Sequence, residues 1–201
     1  MAGLRERQKV STRRSLEDAA LRLFAERGYD ATTIEAIAEQ AEVSPRTFFR
    51  YFAAKDEVLD MGWDRRQAEL VSRLSALPRD LDDAAAAAWV LRTMAEDFLA
   101  ERERVELRAA ALASSPTLRG RAADSLLAWQ ATLAAVLAER AGLDHPTFAH
   151  RVTAAAAVAT WVAAFGEWIS DPGSDLVALL DAGYEHLHGT PLVEPGRSGS
   201  R

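Results

Sequence analysis

The stretch VSPRTFFRYFAAKDEVL, from Val43 to Leu59, decides how this sequence folds. It places large aromatic residues at positions 48, 49, 51 and 52 and interleaves them with Arg46 and Arg50. A buried core would need the rings without the arginines, and a solvated surface would need the arginines without the rings. The segment is therefore expected to contribute both to a core and to an exposed, positively charged face.

A short helix is predicted to start at Pro45. Ser44 is a favourable N-cap, and proline fits the first helical position because its missing N–H needs no partner there. Each residue turns a helix by 100°, so Phe48 and Phe52, four positions apart, share one face. A helix of two turns has little stability of its own, and we expect these two rings to anchor it in the core.

The opposite face of this helix has the chemistry of a DNA-reading surface. A bidentate arginine can recognise guanine, and a threonine methyl group can contact thymine. The flanking rings suit sugar, methyl or phosphate contacts, and a lysine at the start of the next helix suits a phosphate. The predicted DNA contacts in this segment are Ser44, Arg46, Thr47, Phe49, Arg50, Tyr51 and Lys55.

Two preceding helices complete a helix-turn-helix unit. The apolar spacing from Leu16 to Phe24 predicts a helix of about four turns that ends at Gly28. Thr32 and Glu35 have the spacing of a capping box and predict the start of a second, short helix. A break of three residues separates it from the helix at Pro45, as in helix-turn-helix proteins.

The remainder of the chain also has helical periodicity, and no strand-like alternation stands out. We predict a fourth helix from Lys55 that is stopped by Pro78, then helices near 82–101 and 102–113. A seventh follows Pro116, an eighth runs to about residue 169, and Gly189 ends a ninth. The expected fold is all-α with about nine helices. The expected domains are residues 1–54, with an N-terminal arm and the helix-turn-helix, and residues 55–189, for ligand binding and dimerisation, followed by a disordered tail at 190–201.

The distribution of charge supports a polyanionic partner at one end. The chain of 201 residues has a net charge of −6, but residues 1–56 carry 10 Lys and Arg against 9 Asp and Glu. Residues 5–14 hold five positive charges and one acid, and residues 43–55 hold three positive charges and none. A basic patch on an acidic body is typical of a protein that contacts nucleic acid through one region.

Several other classes of protein are disfavoured. The absence of cysteine excludes disulfides, thiolate metal sites and a cysteine nucleophile. His186 and His188 are two positions apart and fall on different helix faces, which is poor spacing for a metal. The sequence shows no phosphate-binding loop, nucleophile elbow, signal peptide or membrane span. We therefore predict no catalytic residues, no metal, no cofactor and no membrane partner, and a cytoplasmic location.

The segment AALRLFAERGYDATTIEAIAEQAEVSPRTFFRYFAAKDEVL resembles the DNA-binding domain of the TetR/AcrR family of bacterial transcriptional regulators, and the likeness covers residues 11–60. The resemblance implies a homodimer on a palindromic operator, with a variable helical domain that binds a small molecule. It adds Thr33 to the DNA contacts given above. It favours a repressor that an effector releases from DNA. A constitutive DNA-binding protein and an enzyme of unknown class are the alternatives.

The C-terminal part more weakly resembles regulators with acyl-CoA-like ligand-binding domains. The likeness lies in RTFFRYF, in LASSPTLRGRAADSLLAWQATLAAVLAERAGL and in GEWI at the end of the eighth helix. It implies an apolar or amphipathic effector of the fatty acyl-CoA type. Arg108 is the candidate polar contact, with an internal ion pair or a solvent-directed head as the alternative. The candidate ligand-binding residues are Trp63, Phe98, Arg108, Trp129, Trp161 and Phe165.

The two last helices are predicted to form the dimer. Ala156, Ala159, Ala163 and Gly166 recur at near four-residue spacing on the eighth helix, and small residues allow helices to approach closely. An apolar eighth helix beside a leucine-rich ninth suits a bundle between two subunits, although packing within one chain is the alternative. The helix that starts at Pro45 is the predicted recognition helix. We also expect the fourth helix, which starts beside it, to transmit an effector signal as one rigid element.

Overall fold

The structure, a computed structural model, describes residues 2–60 and 63–193 of the chain. Within those residues there are nine α-helices and no strand, which confirms the all-α prediction. The helices are α1 Ala2–Arg27, α2 Ile34–Gln40, α3 Pro45–Tyr51, α4 Trp63–Ala76, α5 Asp83–Leu99, α6 Arg102–Ser114, α7 Pro116–Arg140, α8 Phe148–Ser170 and α9 Leu176–His188. A 3-10 helix, Lys55–Asp60, follows α3.

The helices group into two compact units. The first comprises residues 1–63 and 102–122, and the second comprises residues 64–101 and 123–201. Helix α6 and the start of α7 therefore belong to the same unit as the helix-turn-helix. The domain division expected at residues 54 and 55 stays a prediction, and most of the expected disordered tail, residues 194–201, lies outside the described residues.

The core of the first unit holds α3 as predicted. Phe48 and Phe52 are 0 % and 2 % exposed, and their ring centroids lie 5.3 Å apart. They pack in one cluster with residues of α1 and α2, including Leu16, Phe24 and Ile37. The two anchoring phenylalanines thus bury one face of a seven-residue helix.

The start of α2 differs from the prediction by one residue. Thr33 is the N-cap, and its Oγ1 accepts a hydrogen bond of 3.1 Å from the Ala36 N–H. Thr32 is buried instead, and its hydroxyl lies 2.8 Å from the Gly28 carbonyl oxygen at the end of α1. The predicted capping box of Thr32 and Glu35 is wrong because the first threonine satisfies a carbonyl at the end of α1.

Two other helix boundaries were also predicted wrongly. Helix α1 begins at Ala2, so the basic segment at residues 5–14 is part of a 26-residue helix rather than an arm. The fourth helix does not start at Lys55, because residues 55–60 form the tighter 3-10 helix and α4 starts at Trp63. The 3-10 helix buries the adjacent side chains of Val58 and Leu59. The expectation of one rigid element from Lys55 onward is therefore not met.

Helices α2 and α7 end in the same backbone motif, but the residue with a positive φ is glutamate in one and glycine in the other. After α2, the Val43 N–H donates to the Ala38 carbonyl at 2.9 Å, and Glu42 has a φ of 55°. After α7, the Leu143 N–H donates to the Ala138 carbonyl at 2.9 Å, and Gly142 has a φ of 73°. Both are Schellman motifs, whose left-handed position favours glycine.

We predict that Glu42→Gly raises the free energy of unfolding by about 0.5–1 kcal/mol, because glycine adopts a positive φ without steric cost. Gly142→Ala, the matched change in the reverse direction, is expected to lower it by about 1 kcal/mol. Urea unfolding followed by circular dichroism measures both. A less stable Glu42→Gly variant would contradict the prediction.

Candidate nucleic-acid interface

The exposed face of α3 brings five of the predicted DNA contacts together. Ser44, Arg46, Thr47, Phe49 and Arg50 line one shallow surface depression. The Ser44 hydroxyl oxygen caps the helix by accepting from the Thr47 N–H at 3.2 Å, and it lies 3.0 Å from the Thr47 hydroxyl. Phe49 is 56 % exposed, which leaves its ring open to a partner.

The two arginines of this face differ in how they are held. A terminal nitrogen of Arg50 donates to the Tyr51 hydroxyl at 3.3 Å, and its guanidinium carbon lies 5.0 Å from the Tyr51 ring centroid. This contact limits the rotamers of Arg50 and leaves most of its five N–H donors available. Arg46 is exposed and makes no hydrogen bond or ion pair within the described part of the chain.

Thr33 and Lys55 lie outside α3 and have structural contacts of their own. The Lys55 ammonium donates to the carbonyl oxygens of Tyr29 and Thr32, both at 2.7 Å, and lies 4.1 Å from the Tyr29 ring centroid. Burial lowers the pKa of Lys55, and the charge of Asp30 partly offsets that effect. Lys55 therefore clamps the turn between α1 and α2 and retains one N–H for a phosphate. Thr33 is exposed, and its O–H remains available as a donor.

Sequence reasoning missed the role of Arg13, which positions the end of the recognition helix. Its guanidinium carbon lies 4.6 Å from the Phe52 ring centroid, and a terminal nitrogen donates to the Tyr51 carbonyl at 3.4 Å. Its Nε also pairs with Glu17 at 3.0 Å. The spacing of Arg13 and Glu17, four residues apart on a helix, was the available signal.

A second missed feature joins α6 to α1. Arg104 donates to Glu17 at 2.8 Å and to Asp18 at 2.6 Å, and only 7 % of Glu17 is exposed. Arg108, also on α6, donates from Nε to the Leu59 carbonyl at 2.8 Å. Arg108 is thus a member of the first unit, and its contact with an effector stays a prediction.

Four of the six predicted ligand-binding residues form one aromatic cluster in the second unit. The Trp161 ring centroid lies 5.2 Å from that of Phe98, 6.0 Å from that of Phe165 and 6.3 Å from that of Trp129. Arg66, which sequence reasoning also missed, is buried with its guanidinium carbon 4.1 Å from the Phe98 centroid. Its charge is paired with Glu101 at 3.2 Å.

Trp63 is the remaining predicted ligand-binding residue, and no metal site was predicted. The side chain of Trp63 lies outside the described residues. No group of three His, Asp or Glu side chains in the described part of the chain could hold a metal ion. Of the four histidines, His150 serves in the capping box of α8, where its Nδ1 accepts from the Thr147 N–H at 3.2 Å.

Helix α3 is anchored by buried phenylalanines, carries arginines on its outer face and follows a tight turn and a bracing helix. This arrangement defines a helix-turn-helix DNA-binding regulator. Comparison with known proteins makes this more specific. Residues 16–60 match the family model of bacterial regulatory proteins of the TetR family, and residues 80–190 match the model of the MftR C-terminal domain. The chain belongs to the TetR family of transcriptional regulators.

Individual relatives agree with this assignment. The chain is 57 % identical over 56 residues to the transcriptional regulator TcmR of Streptomyces glaucescens, a match that spans 28 % of the chain and 25 % of that protein. It is 24 % identical over 181 residues to a putative mycofactocin biosynthesis regulator, MftR, of Mycobacterium tuberculosis, which covers 89 % of the chain and 90 % of the relative.

Solved structures also resemble this one. FadR of Thermus thermophilus, a repressor solved in complex with lauroyl-CoA, is 26 % identical and has a TM-score of 0.57, over 94 % of this chain and all of that one. NalD of Pseudomonas aeruginosa, the secondary repressor of a multidrug efflux pump, has a TM-score of 0.64 over 92 % of this chain and 98 % of its own. At 19 % identity, NalD supports the fold alone.

We predict that Arg50→Ala lowers operator affinity by about 1–3 kcal/mol and relaxes base preference at one position of each half-site. Arg79→Ala, which removes an exposed arginine of the second unit, is the control and should change neither. Selection from random duplexes followed by titration measures both quantities. Unchanged base preference in Arg50→Ala would contradict a base-reading role.

Lys55→Met is expected to act differently from Arg50→Ala. It removes a charge from a proposed phosphate contact, so it should weaken all duplexes alike and reduce the slope of log affinity against log salt by about one unit. Because Lys55 also clamps the turn, the variant should unfold at a lower temperature. If Lys55→Met lowered the unfolding temperature but left the salt slope unchanged, Lys55 would have a structural role only.

Proposed function

We propose that this protein is a repressor that binds a palindromic operator as a dimer and is released by a small apolar or amphipathic effector. The outward face of Arg46, Thr47 and Arg50, fixed by two buried phenylalanines, carries the DNA-binding part of the proposal. A genomic pull-down with the full chain tests it. Enrichment of an inverted repeat supports the repressor, and failure to enrich one would overturn it.

The proposed effector is a fatty acyl-CoA or a molecule of similar character. The aromatic cluster around Trp161 offers an apolar wall, and pockets between helices are largely apolar with few polar groups. The structural similarity to a repressor in complex with lauroyl-CoA supports the same ligand class. Lauroyl-CoA is therefore the first probe to titrate into an operator complex. An operator complex that persists at saturating effector would favour a constitutive DNA-binding protein.

The proposed dimer forms through α8 and α9. Exposed apolar side chains recur along α8 at Phe148, Val152, Ala159, Val162 and Ala163, a spacing that aligns them on one face. By length and composition alone, α8 could cross a membrane, a test that the core helix of a soluble protein also passes.

Only 28 % of the most apolar 18-residue segment of α8 is buried within one chain, so a partner helix would cover the remainder.

We predict that Ala163→Glu produces a folded monomer that binds operator at least tenfold more weakly, because a charge within the interface is desolvated without a partner. Leu127→Glu is the matched control, since Leu127 is an apolar side chain of α7 that is 63 % exposed. Sedimentation at micromolar concentration reports the association state. A dimeric Ala163→Glu variant, or a strictly monomeric wild type, would contradict the proposed interface.

The proposed route of control runs through α6. Only two residues separate the end of α5 from the start of α6, so the chain links α6 directly to the second unit. Its Arg104 is held by two acidic residues of α1, the helix on which the recognition helix packs through Arg13 and the shared core. A ligand that displaces α5 would then shift α1 and α3, and a 100-fold preference for the released state supplies about 2.7 kcal/mol of coupling.

We predict that Arg104→Ala reduces the release of operator by lauroyl-CoA by at least tenfold while leaving lauroyl-CoA affinity within about twofold, because the α6–α1 ion pairs carry the coupling. Arg102→Ala removes an arginine that pairs with Glu106 of the same helix and serves as the control. Titration of operator complexes at fixed effector measures the release. If lauroyl-CoA released operator from the Arg104→Ala variant as it does from the wild type, this route would be contradicted.

A further inference from the structure

Arg46 and Arg50 both lie on the exposed face of α3, but they differ in what restrains them. Arg46 makes no hydrogen bond or ion pair among the described residues. Arg50 donates to the Tyr51 hydroxyl at 3.3 Å, and its guanidinium carbon lies 5.0 Å from the centre of the Tyr51 ring. Neighbouring side chains on a helix point about 100° apart and do not face each other. The contact therefore requires a particular conformation of Arg50 and does not follow from helix geometry alone.

Tyr51 is itself held from two sides. Its ring is half-buried and packs against the core cluster that contains Phe48 and Phe52. Its carbonyl oxygen accepts a hydrogen bond of 3.4 Å from Arg13. A tyrosine side chain rotates about only two χ angles, so a ring held in this way leaves its hydroxyl little freedom. Tyr51 thus offers the exposed Arg50 a fixed point of attachment.

A restrained arginine is better suited to reading a base than a free one. To recognise guanine, a guanidinium must present two N–H donors to the O6 and N7 atoms at once. Ordering a long side chain at an interface costs free energy, and a side chain that is already restrained loses less freedom on binding. A phosphate contact carries no sequence information and needs no such match to a base edge. The contact with Tyr51 is therefore expected to matter for base preference at the position that Arg50 reads.

We propose that Tyr51 is a positioning residue for base recognition, whose hydroxyl holds the Arg50 guanidinium in the orientation that reads one base pair of each half-site. The hydroxyl then acts through Arg50 and not through a bond of its own to a phosphate. This inference rests on the proposed operator binding and concerns which side chains set base preference there.

A double-mutant cycle on operator binding by the full chain tests the proposal. Tyr51→Phe keeps the ring and removes only the hydroxyl. We expect it to weaken binding of the preferred operator about two- to tenfold, the effect of one hydrogen bond, and to reduce discrimination at the base pair read by Arg50 by the same factor. Duplexes of random sequence should bind as before. In an Arg50→Ala background Tyr51→Phe should have no further effect, whereas in an Arg46→Ala background it should have its full effect.

Tyr184→Phe is the matched control, because it removes a hydroxyl from α9 in the second unit and should change none of these quantities. Unchanged operator affinity in Tyr51→Phe would overturn the proposal. Additive effects of Tyr51→Phe and Arg50→Ala would also overturn it, and equal weakening of operator and random duplexes would then assign the hydroxyl to a phosphate. If the wild type selected no inverted repeat from random duplexes, the proposed function itself would fail, whereas an additive cycle with a selective wild type overturns this inference alone.

Discussion

The burial of Phe48 and Phe52 is the constraint on which the proposed DNA-binding face depends. A helix of seven residues is unstable alone, and burying two phenylalanine side chains contributes about 3–6 kcal/mol relative to leaving them exposed. Because the helix has a fixed angular period, fixing these rings also fixes where Arg46 and Arg50 point. The geometry of the proposed DNA-reading face therefore follows from packing on the opposite side of the helix.

The acidic residues of α1 have a related role at the other side of the same unit. Glu17 is almost fully buried and accepts from both Arg13 and Arg104, so one carboxylate ties the end of α3 and the whole of α6 to a single helix. If either arginine were removed, the Glu17 carboxylate would still be desolvated, and fewer ion pairs would offset the free-energy cost of that desolvation. This arrangement links α6 to α1 within the first compact unit.

Much of this fold could be predicted from periodicity and capping, and the errors have identifiable causes. The stripe at Leu16 to Phe24, Pro45 after Ser44, and Gly142 and Gly189 after their helices all marked real helices. Thr32 was assigned as the cap because the local sequence does not distinguish two adjacent threonines. In the structure the Thr32 hydroxyl bonds to the Gly28 carbonyl oxygen, which leaves Thr33 to cap α2. The 3-10 helix at Lys55 was missed because tertiary burial of Val58 and Leu59 selects it.

Sites were harder to predict than helices, since they depend on residues far apart in sequence. The outer face of α3 is local and could be derived from seven residues. Arg104 meets Glu17 across 87 positions, and the sequence around neither residue indicates the other. The alanines at positions 84–88 of α5 and 154–157 of α8 had the same ambiguity, because alanine is equally suited to close helix contact and to leaving a void. In the fold both outcomes occur: a Cβ at Gly183 of α9 would lie 2.5 Å from Thr160 Cγ2 of α8, whereas a cavity remains between the alanines of α5 and α8. Whether an alanine closes a helix contact or leaves a void is therefore decided by the helix that packs opposite it, which the local sequence does not name.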